Sequence, residues 1–335
     1  MTMSEADQNP KTDPLGEALG KLPTHAEVES KSAAAGLKSA AAETKASAHE
    51  PKLLEAKPPT AEAKQPETRP DVVVFKNVTK SFGQGPEAKI ALKDICFVVE
   101  DLPNVGELVA IVGPSGCGKS TILRTIAGLK PHFPPTAGEV MVFGKPVEEA
   151  GPDRGLVDQK YSLLPHLTVL DNIAFGLKLR GMARSERHDR AKEWVTKVGL
   201  DGSEEKYPAE LSGGMQQRVS IAATLILQPK ILLMDEPFGA LDPRIRLRMQ
   251  ELLIQLWNEQ QSTVFIVTHS VEEAVYLGDR VFLMGSNPGR LLDVLKVPRP
   301  AESPETARRK PWFVNFTQEL LRRLEEEPTP HTTKI

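Results

Sequence analysis

Short continuous apolar runs alternate with longer stretches of helical period along most of this chain, beginning at Asp71-Val-Val-Val-Phe75. That alternation predicts an α/β domain built on a largely parallel sheet. Val109-Ala-Ile-Val112, Ile231-Leu-Leu-Met234 and Val264-Phe-Ile-Val267 carry no polar residue, which suits strands covered on both faces. Between residues 163 and 217 the period turns helical, most clearly over 191–198, and predicts a helical subdomain inserted into the sheet domain. Residues 312–327 place Trp312, Phe313, Phe316, Leu320 and Leu324 on one helical face. The expectation there is a helix packed back on its own domain, with contact to a partner subunit the less favoured alternative. No apolar run reaches the roughly 18 residues of a membrane span.

The first 70 residues break this pattern. They contain no Phe, Trp or Tyr and are dominated by Ala, Lys, Glu, Pro and Ser, so they cannot bury enough apolar surface to offset the entropy of ordering. They are expected to be disordered, with transient helix over 32–48. A transit peptide fits less well, because acids are frequent and the first Arg is Arg69. The N-terminus also lacks the apolar stretch of a secretory signal. With 335 residues, the chain has room for one large domain plus a tail, or for two domains. A net charge of −3 gives no basic excess to suggest a nucleic-acid partner. Two cysteines, Cys96 and Cys117, argue against a disulfide framework and for a reducing, cytosolic compartment.

Chemistry enters at the run Gly113, Pro114, Ser115, Gly116, Cys117, Gly118, Lys119, Ser120, Thr121. It follows the strand Val109–Val112, leads into a helical stretch, and satisfies the spacing of a phosphate-binding loop. Glycines let backbone N–H groups curl round phosphates, and the helix N-terminus adds partial positive charge. Lys119 supplies a point charge to the terminal phosphates, and the Ser120 hydroxyl can ligate Mg2+. Ile231-Leu-Leu-Met-Asp-Glu-Pro237 is then a buried strand ending in two acids. Alternation along the strand sends Asp235 and Glu236 in different directions. Asp235 suits metal coordination, and Glu236 suits orienting and polarising an attacking water. His269 closes a third core strand, where it can reach a γ-phosphate.

Leu211-Ser-Gly-Gly-Met-Gln-Gln-Arg-Val219 offers a second anion site: a hydroxyl and free N–H groups at the start of a helical run. One nucleotide does not need two cradles from one chain. Two chains arranged head to tail, each facing its second cradle to the other's phosphate loop, would use both, so the expected active unit is a dimer.

With these motifs in this order, the chain resembles the ATP-binding subunit of ABC transporters over about residues 72–300. The resemblance implies a P-loop NTPase core with a mixed sheet, an antiparallel β subdomain and an inserted helical subdomain. It implies that Phe82 stacks on adenine, that Gln159 touches Mg2+ and links the site to a permease, and that His269 is the switch histidine. It also implies that Ser212, Gly213, Gly214 and Asp242 act in trans, across the dimer. ATP and Mg2+ are the expected cofactors. The expected partners are an integral-membrane permease, a second ATP-binding subunit in a homodimer and, indirectly, a solute-binding protein. The expected domains are a tail over 1–70, the ATP-binding domain over 71–300 and an extension with a short amphipathic helix over 301–335.

Gly151-Pro-Asp-Arg-Gly-Leu-Val157, Leu164-Pro-His-Leu-Thr-Val-Leu-Asp-Asn-Ile173, Asp235-Glu-Pro-Phe-Gly-Ala-Leu-Asp242, Thr268-His-Ser-Val-Glu-Glu-Ala274 and Asn287-Pro-Gly-Arg290 are similar to the nitrate/sulfonate/taurine importer group. That likeness implies a peripheral subunit on the cytoplasmic face of a bacterial inner membrane. The rival reading is a soluble ABC ATPase with a non-transport or regulatory role. A single phosphate loop and a short helical insert speak against it. Met215 stands where the family often has Gln, and Asp158 stands where an aromatic usually precedes the Q-loop glutamine. An acid at Asp158 is expected to alter coupling or Mg2+ affinity.

Overall fold

The computed structural model describes residues 69–101, 105–160, 162–300 and 302–326. The expectations of disorder and transient helix before residue 69 lie outside them. In chain order, the strands are β1 (Val73–Phe82), β2 (Lys89–Val99), β3 (Leu108–Val112), β4 (Ala137–Val142), β5 (Lys145–Pro146), β6 (Arg154–Val157), β7 (Ile231–Asp235), β8 (Thr263–Val267), β9 (Arg280–Gly285) and β10 (Arg290–Lys296). The helices are α1 (Lys119–Ala127), α2 (Val169–Leu179), α3 (Arg184–Lys197), α4 (Gly213–Leu225), α5 (Pro243–Gln260), α6 (Val271–Leu277), α7 (Pro304–Ala307) and α8 (Pro311–Glu325).

Two sheets form. An antiparallel sheet runs β2-β1-β4-β5, and a six-stranded sheet runs β10-β9-β3-β8-β7-β6. The second is parallel except at its edge, where β10 pairs antiparallel with β9. The all-apolar strands lie at its centre for a physical reason: both of their faces are covered. Val109 and Ile111 of β3 point into a core shared with the antiparallel sheet and α1, whereas Leu108, Ala110 and Val112 point into the opposite core. Ile231 and Leu233 of β7 divide from Leu232 and Met234 in the same way. A one-residue slip in either strand would exchange the two sets.

The helical insert comprises α2, α3 and α4, with Ile173, Leu177, Trp194, Val195 and Val219 buried within it. Helical structure continues past Gln217 to Leu225, because Val219, Ile221, Ala222 and Leu225 still face the core. Thr168 caps α2 by accepting a hydrogen bond from the Asp171 amide. Buried Asn172 fastens the approach to that helix. Its amide donates to the carbonyls of Leu164, Leu167 and Thr168, and its Oδ1 accepts from the Leu164 amide at 2.8 Å. At the C-terminus, α8 packs against this chain's own core through fully buried Leu320 and Phe313, with Trp312, Phe316 and Leu324 partly buried beside them. No helix among the described residues is long and apolar enough to cross a membrane.

Candidate nucleotide site

The phosphate loop joins β3 to α1, and its last glycine shows why the sequence needs one there. Gly118 is the residue before α1 at φ 94°, a left-handed conformation, and a Cβ on it would lie 2.5 Å from Leu92 Cδ2. Buried Lys119 turns its ammonium back into the loop, donating to the carbonyls of Gly113 at 2.8 Å and Pro114 at 2.9 Å. Cys117 is buried beneath the loop. A second segment closes the cradle from the side. Gly289 approaches so closely that a Cβ would lie 2.0 Å from the Cys117 carbonyl oxygen. The same segment is fastened to β2, where the Gly289 amide donates to Ala91 O and the Lys93 amide donates to Gly289 O.

A cleft of about 430 Å³ opens over this loop. Phe82, Ser115, Gly116, Gly118, Lys119, Ser120, Thr121, Gln159, Glu236 and His269 line it. Gly113, Pro114, Cys117 and Asp235 form its floor or support rather than its lining. Ser212, Gly213, Gly214 and Asp242 are outside the lining. Ser212 instead caps α4, accepting from the Met215 amide, and Asp242 caps α5, accepting from the Ile245 amide. Both loops leave helix N-termini, so each is suited to an anion or a polar group brought from elsewhere.

Sequence reasoning missed several cleft residues. Lys89 and Ile90 line it, as does the Asn287–Gly289 segment, noted from the sequence only as a subgroup signature. They were invisible because they come from strand and turn positions with no chemical motif of their own. Arg124 was missed for a similar reason. On α1, it pairs with Asp158 at 2.9 Å and approaches Asp235 at 3.6 Å.

The two acids at the end of β7 separate as alternation requires. Asp235 is buried, and its Oδ1 accepts from the Ser120 hydroxyl at 2.8 Å. Its Oδ2 is buried without a hydrogen-bond partner. Burial pushes this carboxyl above the ordinary range, against the Ser120 hydrogen bond and the Arg124 charge, which pull it down. Glu236 reaches the cleft with its backbone in the left-handed region at φ 51°, a strained conformation for a residue with a side chain. Gln159 Nε2 donates to Glu236 Oε2 at 2.9 Å, and His269 Nε2 donates to Glu236 Oε1. Gln159, Glu236 and His269 thus form one connected trio.

Behind His269, a buried carboxylate ties two elements together. Glu273 of α6 accepts from the Thr268 hydroxyl at 2.5 Å and from Gln250 of α5 at 3.1 Å, with Arg246 of α5 3.7 Å away. Arg246 also donates to the Phe238 and Leu241 carbonyls in the loop before Asp242.

Chemically, the cleft combines a backbone phosphate cradle, a lysine, an aromatic at one end and an acid aimed at the other. The orphaned Asp235 Oδ2 beside the Ser120 hydroxyl fits a small hard cation that draws its remaining oxygens from phosphate.

Comparison with known proteins agrees with this fold and with a nucleotide-binding cleft. Residues 102–239 match the ABC transporter family. The chain is 45% identical over 256 residues to an uncharacterized ABC transporter ATP-binding protein from Methanocaldococcus jannaschii, covering 75% of this chain and 91% of the relative. It is 45% identical to the nitrate import ATP-binding protein NrtD of Synechocystis, over 73% of this chain and 92% of the relative. It is 42% identical to the taurine import ATP-binding protein TauB of Escherichia coli, over 71% of this chain and 93% of the relative. A solved dimeric ATP-binding cassette in a post-hydrolysis state, bound to ADP and Pi, superposes with a TM-score of 0.60 at 35% identity, covering 68% of this chain and 99% of that one.

Proposed function

This chain belongs to the ABC transporter family of ATP-hydrolysing cassettes, and from that premise we propose that it energises import of a small solute such as nitrate, a sulfonate or taurine through a separate membrane permease. The observation that carries the reading is one cleft holding Phe82, the phosphate loop, Gln159, Glu236 and His269 above the Ser120–Asp235 pair. The relatives that import nitrate and taurine supply the solute class.

Phe82 stacks on adenine. The amides of Ser115, Gly116, Cys117 and Gly118 cradle the phosphates, and Thr121 lies at the α1 end of the cradle. Lys119 exchanges the Gly113 and Pro114 carbonyls for phosphate oxygens. Ser120, Asp235 and Gln159 would hold Mg2+, which when bound neutralises charge on the β- and γ-phosphates. Glu236 orients the attacking water, and His269 turns from Glu236 to the γ-phosphate. Two copies of the chain close on two nucleotides. Ser212, Gly213 and Gly214 of one copy face the phosphate loop of the other, and Asp242 lies at their interface. The helical insert and Gln159 transmit closure to the permease. A solute-binding protein delivers cargo on the far side, and this subunit sits peripherally on the cytoplasmic face of the membrane.

The test is affinity purification of the full chain from detergent-solubilised membranes. A stoichiometric multi-span permease supports the transporter reading, and the proteins recovered with it narrow the solute. Recovery of soluble partners alone would move the reading to a non-transport ABC ATPase.

A further inference from the structure

Arg124 is a permanent cation, since a guanidinium does not lose its proton in a protein, and it stands between two acids. Asp158 Oδ1 takes its hydrogen bond at 2.9 Å, while Asp235 Oδ2, at 3.6 Å from the same Nη2, is left with no hydrogen-bond partner. Asp158 follows directly on β6 and precedes Gln159. Arg124, on the phosphate-loop helix, therefore bonds to the residue at the exit of β6 and only approaches the acid at the tip of β7.

We propose that Asp158 is a positioning residue that holds Arg124 off Asp235, keeping the Asp235 carboxylate open to the divalent cation. This rests on the Mg2+ role given to Asp235 above. The charge balance of the trio supports it. Arg124, Asp158 and Asp235 together carry one net negative charge, and without Asp158 they carry none. With Asp158 gone, the guanidinium has one remaining acid to pair with, and that acid has an unsatisfied buried oxygen to offer. A paired Asp235 then meets the incoming cation with its charge already spent. Asp158 thus favours metal binding without being a ligand. It does so through Arg124, which makes the effect reversible by a second substitution.

The measurement is binding of Mn2+ to the full-length protein in the presence of a non-hydrolysable ATP analogue, followed by electron paramagnetic resonance. Affinity of the analogue without metal is measured in parallel to report an intact cradle. Asp158→Asn is expected to weaken Mn2+ binding about fivefold, the scale of one partly buried ion pair. Asp158→Asn combined with Arg124→Gln is expected to return Mn2+ affinity to within about twofold of the parent protein. Unchanged Mn2+ binding in Asp158→Asn overturns the inference. So does a double variant as weak as the single one, which would assign the effect to a loosened Gln159 instead. If the parent protein itself shows no nucleotide-dependent Mn2+ site, the metal role of Asp235 falls, and this inference falls with it.

Discussion

Glu236 combines two properties at a single residue: a left-handed backbone at φ 51° and a carboxylate whose two oxygens are both engaged, by Gln159 and by His269. Strain of this kind costs on the order of 1–3 kcal/mol and persists only where surrounding structure enforces it. Here the Glu236 amide donates to Val267 O at 3.0 Å and its carbonyl accepts from the Gly239 amide, so the turn is closed on both sides. Glu236→Gln keeps the backbone turn and, if Glu236 acts on the attacking water as proposed, removes the base. Phosphate release is expected to fall by roughly 100-fold or more while ATP remains bound, and the closed dimer should then persist in size-exclusion chromatography with ATP. A second residue-scale effect belongs to Tyr276. Burial pushes its phenol up to about 12, with Glu251 adding to the rise. In the unfolded chain the same phenol ionises near 10, so between these values the unfolded state has released a proton that the folded state retains. Stability therefore falls as pH rises from about 10 to 12. Tyr276→Phe removes that slope, which thermal melts of the two proteins at pH 9 and pH 11 would reveal.

At the scale of elements, Glu273 ties α5 to the loop carrying His269. Its carboxylate is shared between Thr268 on one side and Gln250 and Arg246 on the other, and Ser270 caps α6 by accepting from the Glu273 amide. Glu273→Ala leaves the Thr268 hydroxyl and the Gln250 amide without their acceptor, takes the counter-charge from Arg246, and is expected to cost about 3 kcal/mol in denaturant unfolding. Glu273→Gln, which keeps one acceptor, should cost less. In both, kcat falls more than KM, because the Thr268–Ser270 loop loosens while the cradle is untouched. The contrast between what was legible and what was not is sharpest here. Lys119, Ser120 and Asp235 could be placed at the cleft from the chain because a short local spacing marks the phosphate loop and the strand that ends in acids, whereas Gln159 was reached only through the family resemblance. The Glu273–Gln250 pair spans 23 positions and the Arg124–Asp158 pair spans 34, and no local pattern signals either partner. Asp158 was visible as an unusual acid, but its cation was not. The central strands β3, β7 and β8 were legible through their apolar runs. The end of α4 was set by tertiary burial of residues beyond the motif that drew attention to its start.

For the molecule as a whole, the separation of the phosphate cleft from Ser212, Gly213, Gly214 and Asp242 has a measurable consequence. If each site is built from two chains, two differently broken chains can repair one another. Lys119→Ala abolishes one cradle, and Gly214→Asp places a charge where the other chain's phosphates would lie. Neither variant alone is expected to hydrolyse ATP. Mixed in equal amounts, half of the dimers pair one of each, and each such dimer carries one fully intact site. Activity should therefore recover to roughly a quarter of the parent value, provided one intact site suffices. No recovery on mixing would place both defects in the same chain's site.

The engagement of Glu236 by Gln159 and His269 has a physiological corollary. Cellular ATP is abundant at all times, whereas a closed partner is not. If His269 turns to the γ-phosphate only on closure, Glu236 stays latched until then, as by a safety catch. Copies that have not closed in pairs would idle rather than drain the nucleotide pool.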